Sequence, residues 1–381
     1  MFVITANWQR IEQIDLLRGS AILAILLVNI FGFALPQLAY VNPVYTAGTT
    51  AGDIWCWVYL HIFVQGKFLA IFSLLFGASL EFLSKQGLYW NQIRLFVLAI
   101  IGLIHGIGLW DGDILLPYAL TGLLAIKIIY FNSLRQLYYK SIVIYLSGLI
   151  IFSSFSYFTD ASSFWYFAEN NFIEEINIKI AGGWQAFLYR AESVAQRLIL
   201  LVIGYGWQLL ALMIMGSALI RNGWLTGHFS LFHYRYVAYW LIPVTIIIQL
   251  FSIAIQYYYE WNYIATGLLG FVINQLIIPI QVAGYIAIIY GFWPQIKNIF
   301  IIRWLQSIGR MALTSYLSQT LICTTIFYRL GVFAQFSRIE LLLFVPLIWL
   351  INILFAVCWL KYFTQGPIEW LWGYLTNKCA N

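Results

Sequence analysis

The chain has 381 residues, of which 62% are apolar or aromatic and only 9% are charged, and it carries 17 Trp, 26 Tyr and 29 Phe. Soluble domains are about half apolar and about a quarter charged, so this composition excludes a soluble globular enzyme, a disordered chain and a nucleic-acid-binding domain. The net charge of +6 comes mostly from basic residues in short loops and at the ends of apolar runs. Such a distribution is typical of an integral membrane protein.

A helix needs about 20 mostly apolar residues to cross the hydrocarbon layer, where every backbone polar group must be hydrogen-bonded internally. Ten such runs occur, which predicts an all-α membrane helix bundle of about ten transmembrane helices and a single domain over residues 1–381. The predicted spans are 17–38, 64–84, 93–110, 114–131, 141–159, 197–220, 236–258, 266–292, 304–328 and 339–362. A short helix over 54–65 is predicted to lead into the second span.

Lys and Arg accumulate on the cytoplasmic side of membrane proteins. With the N-terminus inside, fourteen basic residues fall on the cytoplasmic side and five on the outer side, which predicts that both termini are cytoplasmic. The cytoplasmic set is Arg10, Arg18, Lys85, Arg94, Lys127, Arg135, Lys140, Arg221, Arg235, Lys297, Arg303, Arg310, Lys361 and Lys378. The outer set is Lys179, Arg190, Arg197, Arg329 and Arg338.

Two segments outside the spans have helical patterns. Residues 160–196 mix charged and apolar side chains, which predicts an amphipathic helix against the outer face of the membrane or of the bundle. Residues 363–381 begin with Gly-Pro and carry Glu369 and indole rings, which predicts a cytoplasmic interfacial helix. The four cysteines have no metal-ligand spacing and are expected to be buried apolar residues, so no metal site is predicted.

Ionisable side chains within membrane spans are costly, so each is a candidate site residue. Asp15 and Arg18 lie three residues apart at the cytoplasmic end of the first span and can pair on one helix face. They are either a structural ion pair or a site that presents Arg18 to a phosphate or carboxylate. The adjacent Gly19 is expected to let a neighbouring helix approach closely.

The third span and its exit contain Arg94, His105, Asp111 and Asp113. Eleven residues separate Arg94 from His105, so they lie about 20° apart around the helix and about 16 Å apart along it. An imidazole at this depth can act as a general base or nucleophile, or it can be a hydrogen-bonded packing residue. Either Asp111 or Asp113 could orient the ring or bind an acceptor.

Further polar residues follow on other spans. Lys67, with His61 before it, either extends to the outer interface or pairs with Asp111 or Asp113. A polar stripe on the ninth span and a weaker one on the eighth either line an aqueous groove or seal a helix–helix seam. The first stripe is Arg303, Ser307, Arg310, Thr314 and Ser318, and the second is Asn274, Gln281 and Tyr285.

Several of these residues belong to long segments that resemble the YeiB-like bacterial inner-membrane proteins, a family of unknown function. The resemblance covers nearly the whole chain. It is carried by Asp15-x-x-Arg18-Gly19, GKFLAIFSLLFGASLEFL (66–83), GLIHGIGLWDGDIL (102–115), GRMALTSYLSQTLICTTIFY (309–328) and QGPIEWLW (365–372). The resemblance implies a location in the bacterial inner membrane.

The YeiB-like family resembles, more distantly, the transmembrane acyltransferase superfamily of acyltransferase-3 and heparan N-acetyltransferase proteins. Those proteins carry an acyl group from cytoplasmic acyl-CoA to a sugar on the far side of the membrane, using an intramembrane histidine. Asp15 and Arg18 are similar to a motif of that superfamily, and Arg94 and His105 match its Arg-x10-His spacing. Acyltransferase-3 proteins also carry a histidine toward the outer end of the first helix, which is absent here. Either His105 acts alone, or His61 substitutes, or the scaffold has lost catalysis.

Three functions remain open at this point. The first is transfer of an acyl group, such as acetyl from acetyl-CoA, to an envelope glycan or lipid headgroup; the second is transport or flipping of a solute; the third is a non-catalytic scaffold in the lipid bilayer. For transfer, Asp15, Arg18, Arg94 and Arg310 would hold the CoA phosphates, and His105 with Asp111 and Asp113 would perform the chemistry. His61, Lys67, Asn274 and Gln281 would bind the acceptor. No oligomeric state is indicated.

Overall fold

The computed structural model describes residues 11–46, 49–159 and 162–380, and all the regular structure in these residues is helical. Arg10 of the predicted cytoplasmic set lies outside them. The helices are α1 (Glu12–Ala34), α2 (Ala51–Phe63), α3 (Lys67–Leu83), α4 (Leu88–Gly108), α5 (Leu115–Phe131), α6 (Leu134–Phe158), α7 (Ser162–Trp165), α8 (Glu169–Ala181), α9 (Gly183–Leu200), α10 (Gly206–Arg221), α11 (Leu231–Tyr258), α12 (Phe271–Gly291), α13 (Trp293–Ile296), α14 (Phe300–Arg310), α15 (Ala312–Thr324), α16 (Arg338–Trp359) and α17 (Pro367–Ala380). Short π-helical segments precede α10 (Leu201–Tyr205) and α12 (Tyr263–Gly270) and follow α15 (Thr325–Arg329).

Eight helical stretches in the described part of the chain are long and apolar enough to cross a membrane. They are α1, α4, α6, α11, α16, the α2–α3 stretch, the α9–α10 stretch, and α12 with its preceding π turn. The all-α membrane bundle is therefore confirmed. The predicted fourth span is α5, an apolar helix of 17 residues. The count of ten spans and the orientation remain predictions.

The predicted ninth span is not one helix but two, α14 and α15, which meet at Met311. Helix α15 begins there because its first free backbone N–H groups have an external partner. Oε1 of Glu369 accepts hydrogen bonds from the backbone N–H groups of Leu313 (2.7 Å) and Thr314 (3.1 Å). A carboxylate at a helix N-terminus is favoured by both hydrogen bonding and the helix dipole.

Helix α1 lies at the centre of the bundle. In its most apolar window 72% of the residues are buried, compared with 28% in α6, α11 and α16, which present most of their surface to the surroundings. Its contact with α14 is unusually close because two glycines face each other's backbones. A Cβ on Gly19 would lie 1.8 Å from the carbonyl oxygen of Leu305, and one on Gly309 would lie 1.9 Å from that of Asp15. The expected close approach at Gly19 is confirmed.

The segments outside the spans pack against the bundle. Lys179 of α8 is buried, forms an ion pair of 3.0 Å with Glu175, and lies 4.9 Å from the ring centre of Phe333, so α8 covers the bundle itself. The predicted C-terminal helix is observed as α17. It packs on α4, and the indole N–H of Trp372 donates to the carbonyl of Arg94 at 2.8 Å.

The expectation that all four cysteines are buried was wrong. Cys323 is buried and Cys56 is half-buried, but Cys358 and Cys379 are exposed on the outer faces of α16 and α17. An apolar side chain in a membrane protein is equally stable against lipid, so hydrophobicity did not predict burial here.

Candidate functional site

The imidazole of His105 lies in the last turn of α4, is 2% exposed, and has a hydrogen-bond partner at both ring nitrogens. Nδ1 is 2.7 Å from Oδ1 of Asp113, and Nε2 is 3.0 Å from Oγ1 of Thr320 on α15. A carboxylate only accepts hydrogen bonds, so Nδ1 carries a ring hydrogen, and when the ring is neutral Nε2 is an acceptor for the hydroxyl of Thr320. Asp113, His105 and Thr320 form a carboxylate–imidazole–hydroxyl chain, named here the His105 relay.

The turn between α4 and α5 positions Asp113. Its Oδ2 accepts the backbone N–H of Leu116 at 2.7 Å, in the first turn of α5, where backbone donors lack helical partners. A Cβ on Gly102 would lie 2.3 Å from the nitrogen of Leu116, so α4 and α5 meet backbone to backbone. With one carboxylate oxygen held by α5, the other is directed at the ring of His105.

Tyr316 packs against the ring of His105 in the relay. Its ring centre is 5.3 Å from that of His105, and its phenol oxygen accepts the backbone N–H of Ile114 at 3.3 Å. Thr320 lies one helical turn beyond Tyr316 on α15. The same tyrosine also lines a cavity, which makes it the contact between that cavity and the relay.

The cavity has a volume of about 190 Å³ and is lined by residues of α1, α3, α4, α5, α14, α15 and α17. Arg18, Arg94 and Arg310 line one end, named here the basic end, and Tyr316 lines the other. Between them the walls are mostly apolar. Its lining includes Ile22, Phe72, Phe76, Leu98, Ile114, Leu115, Tyr118, Leu313, Glu369 and Trp372. Of the predicted site residues, the structure therefore brings the three arginines together at one cavity.

Each arginine at the basic end has a different environment. Arg18 lies 3.7 Å from Asp15 and donates to the hydroxyl of Ser79 at 3.2 Å. Arg310 donates to the carbonyl of Thr364 at 3.0 Å. The guanidinium of Arg94 stacks 3.6 Å from the ring centre of Trp372, and in the described residues no carboxylate lies within ion-pair distance of it. Three arginines outnumber the two carboxylates beside them, Asp15 and Glu369, so the basic end keeps an excess of positive charge.

Asp111 belongs to a different group from Asp113, although only one residue separates them. Its Oδ2 is 3.9 Å from a terminal nitrogen of Arg197, and its charge also acts on the buried Lys179. Burial alone would lower the pKa of Lys179, but its interactions with Tyr328, Asp111 and Glu175 outweigh burial and raise that pKa. His105 is thus oriented by the hydrogen bond that it donates to Asp113, while Asp111 faces the cationic residues Arg197 and Lys179.

Lys67 is fully buried, and neither of the two predictions for its side chain is correct. Its ammonium donates to the carbonyl of His61 at 2.5 Å and to Oδ1 of Asn274 at 2.6 Å, so it neither extends to an interface nor pairs with Asp111 or Asp113. The reason is the break between α2 and α3, where Gly66 has a positive φ of 80° and Lys67 turns inward against α12. Asn274 also accepts from Gln249 of α11 at 2.8 Å.

The remaining residues predicted to bind an acceptor surround Lys67 and not His105. Nδ1 of His61 is 2.7 Å from Oε1 of Gln65, its ring stacks on Trp57, and its Nε2 has no hydrogen-bond partner among the described residues. The amide of Gln281 donates to the carbonyl of Ile62 and to the hydroxyl of Tyr285. These residues close the α2–α3 break against α12, and in the part of the chain that the structure describes they share no hydrogen-bond partner with the His105 relay.

The polar stripe of the ninth span forms a seam. Ser307 bonds to its own helix at Arg303, the hydroxyl of Thr314 donates to Glu369 of α17, and that of Ser318 donates to Asn352 of α16. Of this stripe only Arg310 lines the cavity.

Sequence reasoning missed Thr320, Tyr316 and Arg197 as site residues. Thr320 and Tyr316 lie in a helix with many hydroxyl groups, and only the fold shows which of them faces His105. The sequence places Arg197 in the outer basic set and contains no signal that its partner is Asp111. In the described residues no group of three or more His, Cys, Asp or Glu side chains could hold a metal ion.

The fold and the site define a multi-span helical membrane protein with a buried carboxylate–imidazole–hydroxyl chain beside a basic cavity. Comparison with known sequences then identifies the family. Residues 219–378 match the family model described as "Protein of unknown function (DUF418)". The chain is 44% identical over 375 residues to "Uncharacterized protein YeiB" of Escherichia coli strain K12, covering 98% of this chain and 97% of the relative. The chain therefore belongs to the YeiB-like family.

More distant bacterial relatives extend over the same length. "Uncharacterized protein YxaH" of Bacillus subtilis strain 168 is 25% identical, covering 98% of this chain and 95% of the relative. A 39.9 kDa protein from the amylase 3' region of Bacillus acidopullulyticus is 26% identical, covering 97% and 94%. No solved structure matches the chain.

Proposed function

We propose that the protein is a membrane acyltransferase that moves an acyl group from acyl-CoA at the basic end to an acceptor reached from the opposite end. The observation that carries the proposal is the continuity of two sites. The cavity lined by Arg18, Arg94 and Arg310 ends at Tyr316, and Tyr316 packs on His105.

The basic end suits the donor. CoA carries several phosphate charges, and guanidinium groups bind phosphate through charge-assisted hydrogen bonds. The narrow apolar cavity beyond the arginines suits the uncharged pantetheine arm and a short acyl group, such as acetyl. The positive-inside pattern would place this end in the cytoplasm, where acyl-CoA is found, and the protein in a bacterial inner membrane.

The His105 relay supplies the chemistry. When the ring is neutral, the lone pair of Nε2 can accept a proton from a hydroxyl group. Asp113 fixes this tautomer and stabilises the imidazolium that forms on proton transfer. Asp111 and Arg197, at the end beyond His105, would bind an acceptor with hydroxyl and anionic groups, such as an envelope glycan or a lipid headgroup.

Titration calorimetry of the detergent-solubilised protein with acetyl-CoA tests the proposal. We expect binding that weakens roughly tenfold or more in Arg94→Ala, because a charged hydrogen bond to phosphate contributes about 1.5–3 kcal/mol. Arg303→Ala is the matched control, since Arg303 is an exposed arginine of α14 that does not line the cavity. Absence of acetyl-CoA binding by the folded wild-type protein, or equal loss in both variants, would overturn the proposal.

A further inference from the structure

We propose that Thr320 is a transient acyl carrier, a nucleophile that receives the acyl group from the thioester before the acceptor does. This inference rests on the proposed acyltransferase function. The hydroxyl of Thr320 is 3.0 Å from Nε2 of His105, and Nδ1 of His105 is 2.7 Å from Asp113. A hydroxyl, a base on that hydroxyl, and a carboxylate on the base together form the geometry of an activated oxygen nucleophile.

The protonation state follows from the partners. Both oxygens of Asp113 accept, one from Leu116 and one from His105, so Asp113 holds the ring hydrogen at Nδ1. Nε2 of the neutral ring has only its lone pair, so the hydrogen between Nε2 and Thr320 belongs to Thr320. The same hydroxyl lies 3.4 Å from the carbonyl oxygen of Tyr316, so its shorter contact, of 3.0 Å, is the one to its base.

The face of α15 that lines the cavity leads to Thr320. Ala312, Leu313 and Tyr316 line the cavity, and Thr320 follows Tyr316 by four residues, which places both on one helix face. Thr320 itself is fully buried and does not line the cavity, so a thioester reaches its hydroxyl only when the ring of Tyr316 turns aside. Its phenol oxygen accepts from Ile114, which leaves the phenol hydrogen to donate to the carbonyl oxygen of a thioester as negative charge develops there.

The reaction balances in two halves. In the first, His105 takes the proton of Thr320, Oγ1 of Thr320 attacks the thioester carbonyl, the carbon–sulfur bond breaks, and the CoA sulfur leaves with the proton from His105. In the second, His105 takes a proton from the acceptor hydroxyl, and the acceptor oxygen attacks the acyl carbon of the Thr320 ester. The bond between that carbon and Oγ1 breaks, and Oγ1 recovers the proton from His105. A carrier between the basic cavity and the opposite end would allow acyl-CoA and the acceptor to react one after the other, without binding next to each other.

Acyl trapping tests the carrier. The purified protein is incubated with acetyl-CoA without an acceptor, quenched in acid, digested, and analysed by peptide mass spectrometry. We expect one acetyl group on the peptide that contains Thr320, removable by alkaline hydroxylamine as an ester is. The adduct should be lost in Thr320→Val and retained in Thr320→Ser.

Thr324→Val is the matched control. Thr324 lies one turn further on the same helix, and its hydroxyl bonds only to carbonyls of its own helix, so the adduct should be unchanged. An acetyl group on another residue, or no adduct in a wild-type protein that binds acetyl-CoA by calorimetry, would overturn the carrier while leaving acyl transfer in place. Absence of acetyl-CoA binding would overturn the proposed function itself.

Discussion

At the scale of single residues, the bond between Asp113 and His105 determines which nitrogen can act as a base. The carboxylate selects the Nδ1–H tautomer and so leaves Nε2 free to accept from Thr320. Lys67 shows the opposite situation, a buried cation whose partners are a carbonyl and an amide oxygen. Hydrogen bonds donated to these two oxygens satisfy the ammonium without a carboxylate, which explains how this cation can be buried.

Asp113→Asn separates the role of the carboxylate from that of the fold. The amide can still accept from Leu116 through its oxygen, but its NH₂ would then face His105 and favour the tautomer with hydrogen on Nε2. We expect acylation of Thr320 to slow by about 10³- to 10⁴-fold, as for a relay held in the wrong tautomer. Single-turnover trapping measures the rate, and calorimetry should show unchanged acetyl-CoA affinity. Equal acylation rates in variant and wild type would contradict an orienting role for Asp113.

At the scale of elements, two helices were not predictable from local sequence. The sequence of the ninth span contains no proline and predicts one apolar helix. The structure has two, because Glu369 of α17 caps the N-terminus of α15, so that α14 ends at Arg310 and α15 begins at Ala312. This contact joins residues 55 or 56 positions apart. The close α1–α14 contact, in contrast, was visible at Gly19, although its partner Gly309 was not.

Gly309→Ala tests this contact and the basic end together. The added Cβ would lie 1.9 Å from the carbonyl oxygen of Asp15, so α1 and α14 must separate, at a cost of about 1–3 kcal/mol for overpacking. We expect a lower thermal unfolding temperature, and weaker acetyl-CoA binding because Gly309 also lines the cavity. Gly373→Ala on α17 is the control, since a Cβ there meets no atom within 4 Å. Unfolding temperatures that agree between Gly309→Ala and wild type would show that the helices have room to adjust.

At the scale of the whole molecule, the bundle has two chemically different ends. Arg18, Arg94 and Arg310 mark one, and Asp111 with Arg197 lies beyond His105 toward the other. Composition and hydropathy were enough to predict the membrane bundle, and the spacing of Arg94 and His105 indicated a path along α4. The third member of the relay could not be predicted, because Ser315, Ser318, Thr320 and Thr324 on α15 are equivalent in sequence until packing turns one of them toward His105.

The orientation of these two ends decides whether the basic end can meet cytoplasmic acyl-CoA, and Cys379 reports on it. Cys379 is exposed near the end of α17, where Asn377 accepts from the indole of Trp90 of α4, the helix that carries Arg94. In a protein whose other cysteines are replaced by alanine, we expect a membrane-impermeant maleimide to label Cys379 in inside-out vesicles but not in intact cells. The other cysteines are Cys56, Cys323 and Cys358.

Asn170→Cys, combined with Cys379→Ala, provides the opposite reporter. Asn170 is exposed on α8, the helix whose Lys179 interacts with Asp111, so its label marks the end beyond His105. We expect labelling in intact cells, because the positive-inside pattern places α8 outside. Labelling of Cys379 in intact cells would show that the protein has the opposite orientation in the membrane. The arginine cavity would then open away from the cytoplasmic acyl-CoA pool, which is incompatible with transfer in the proposed direction even if the relay itself is intact.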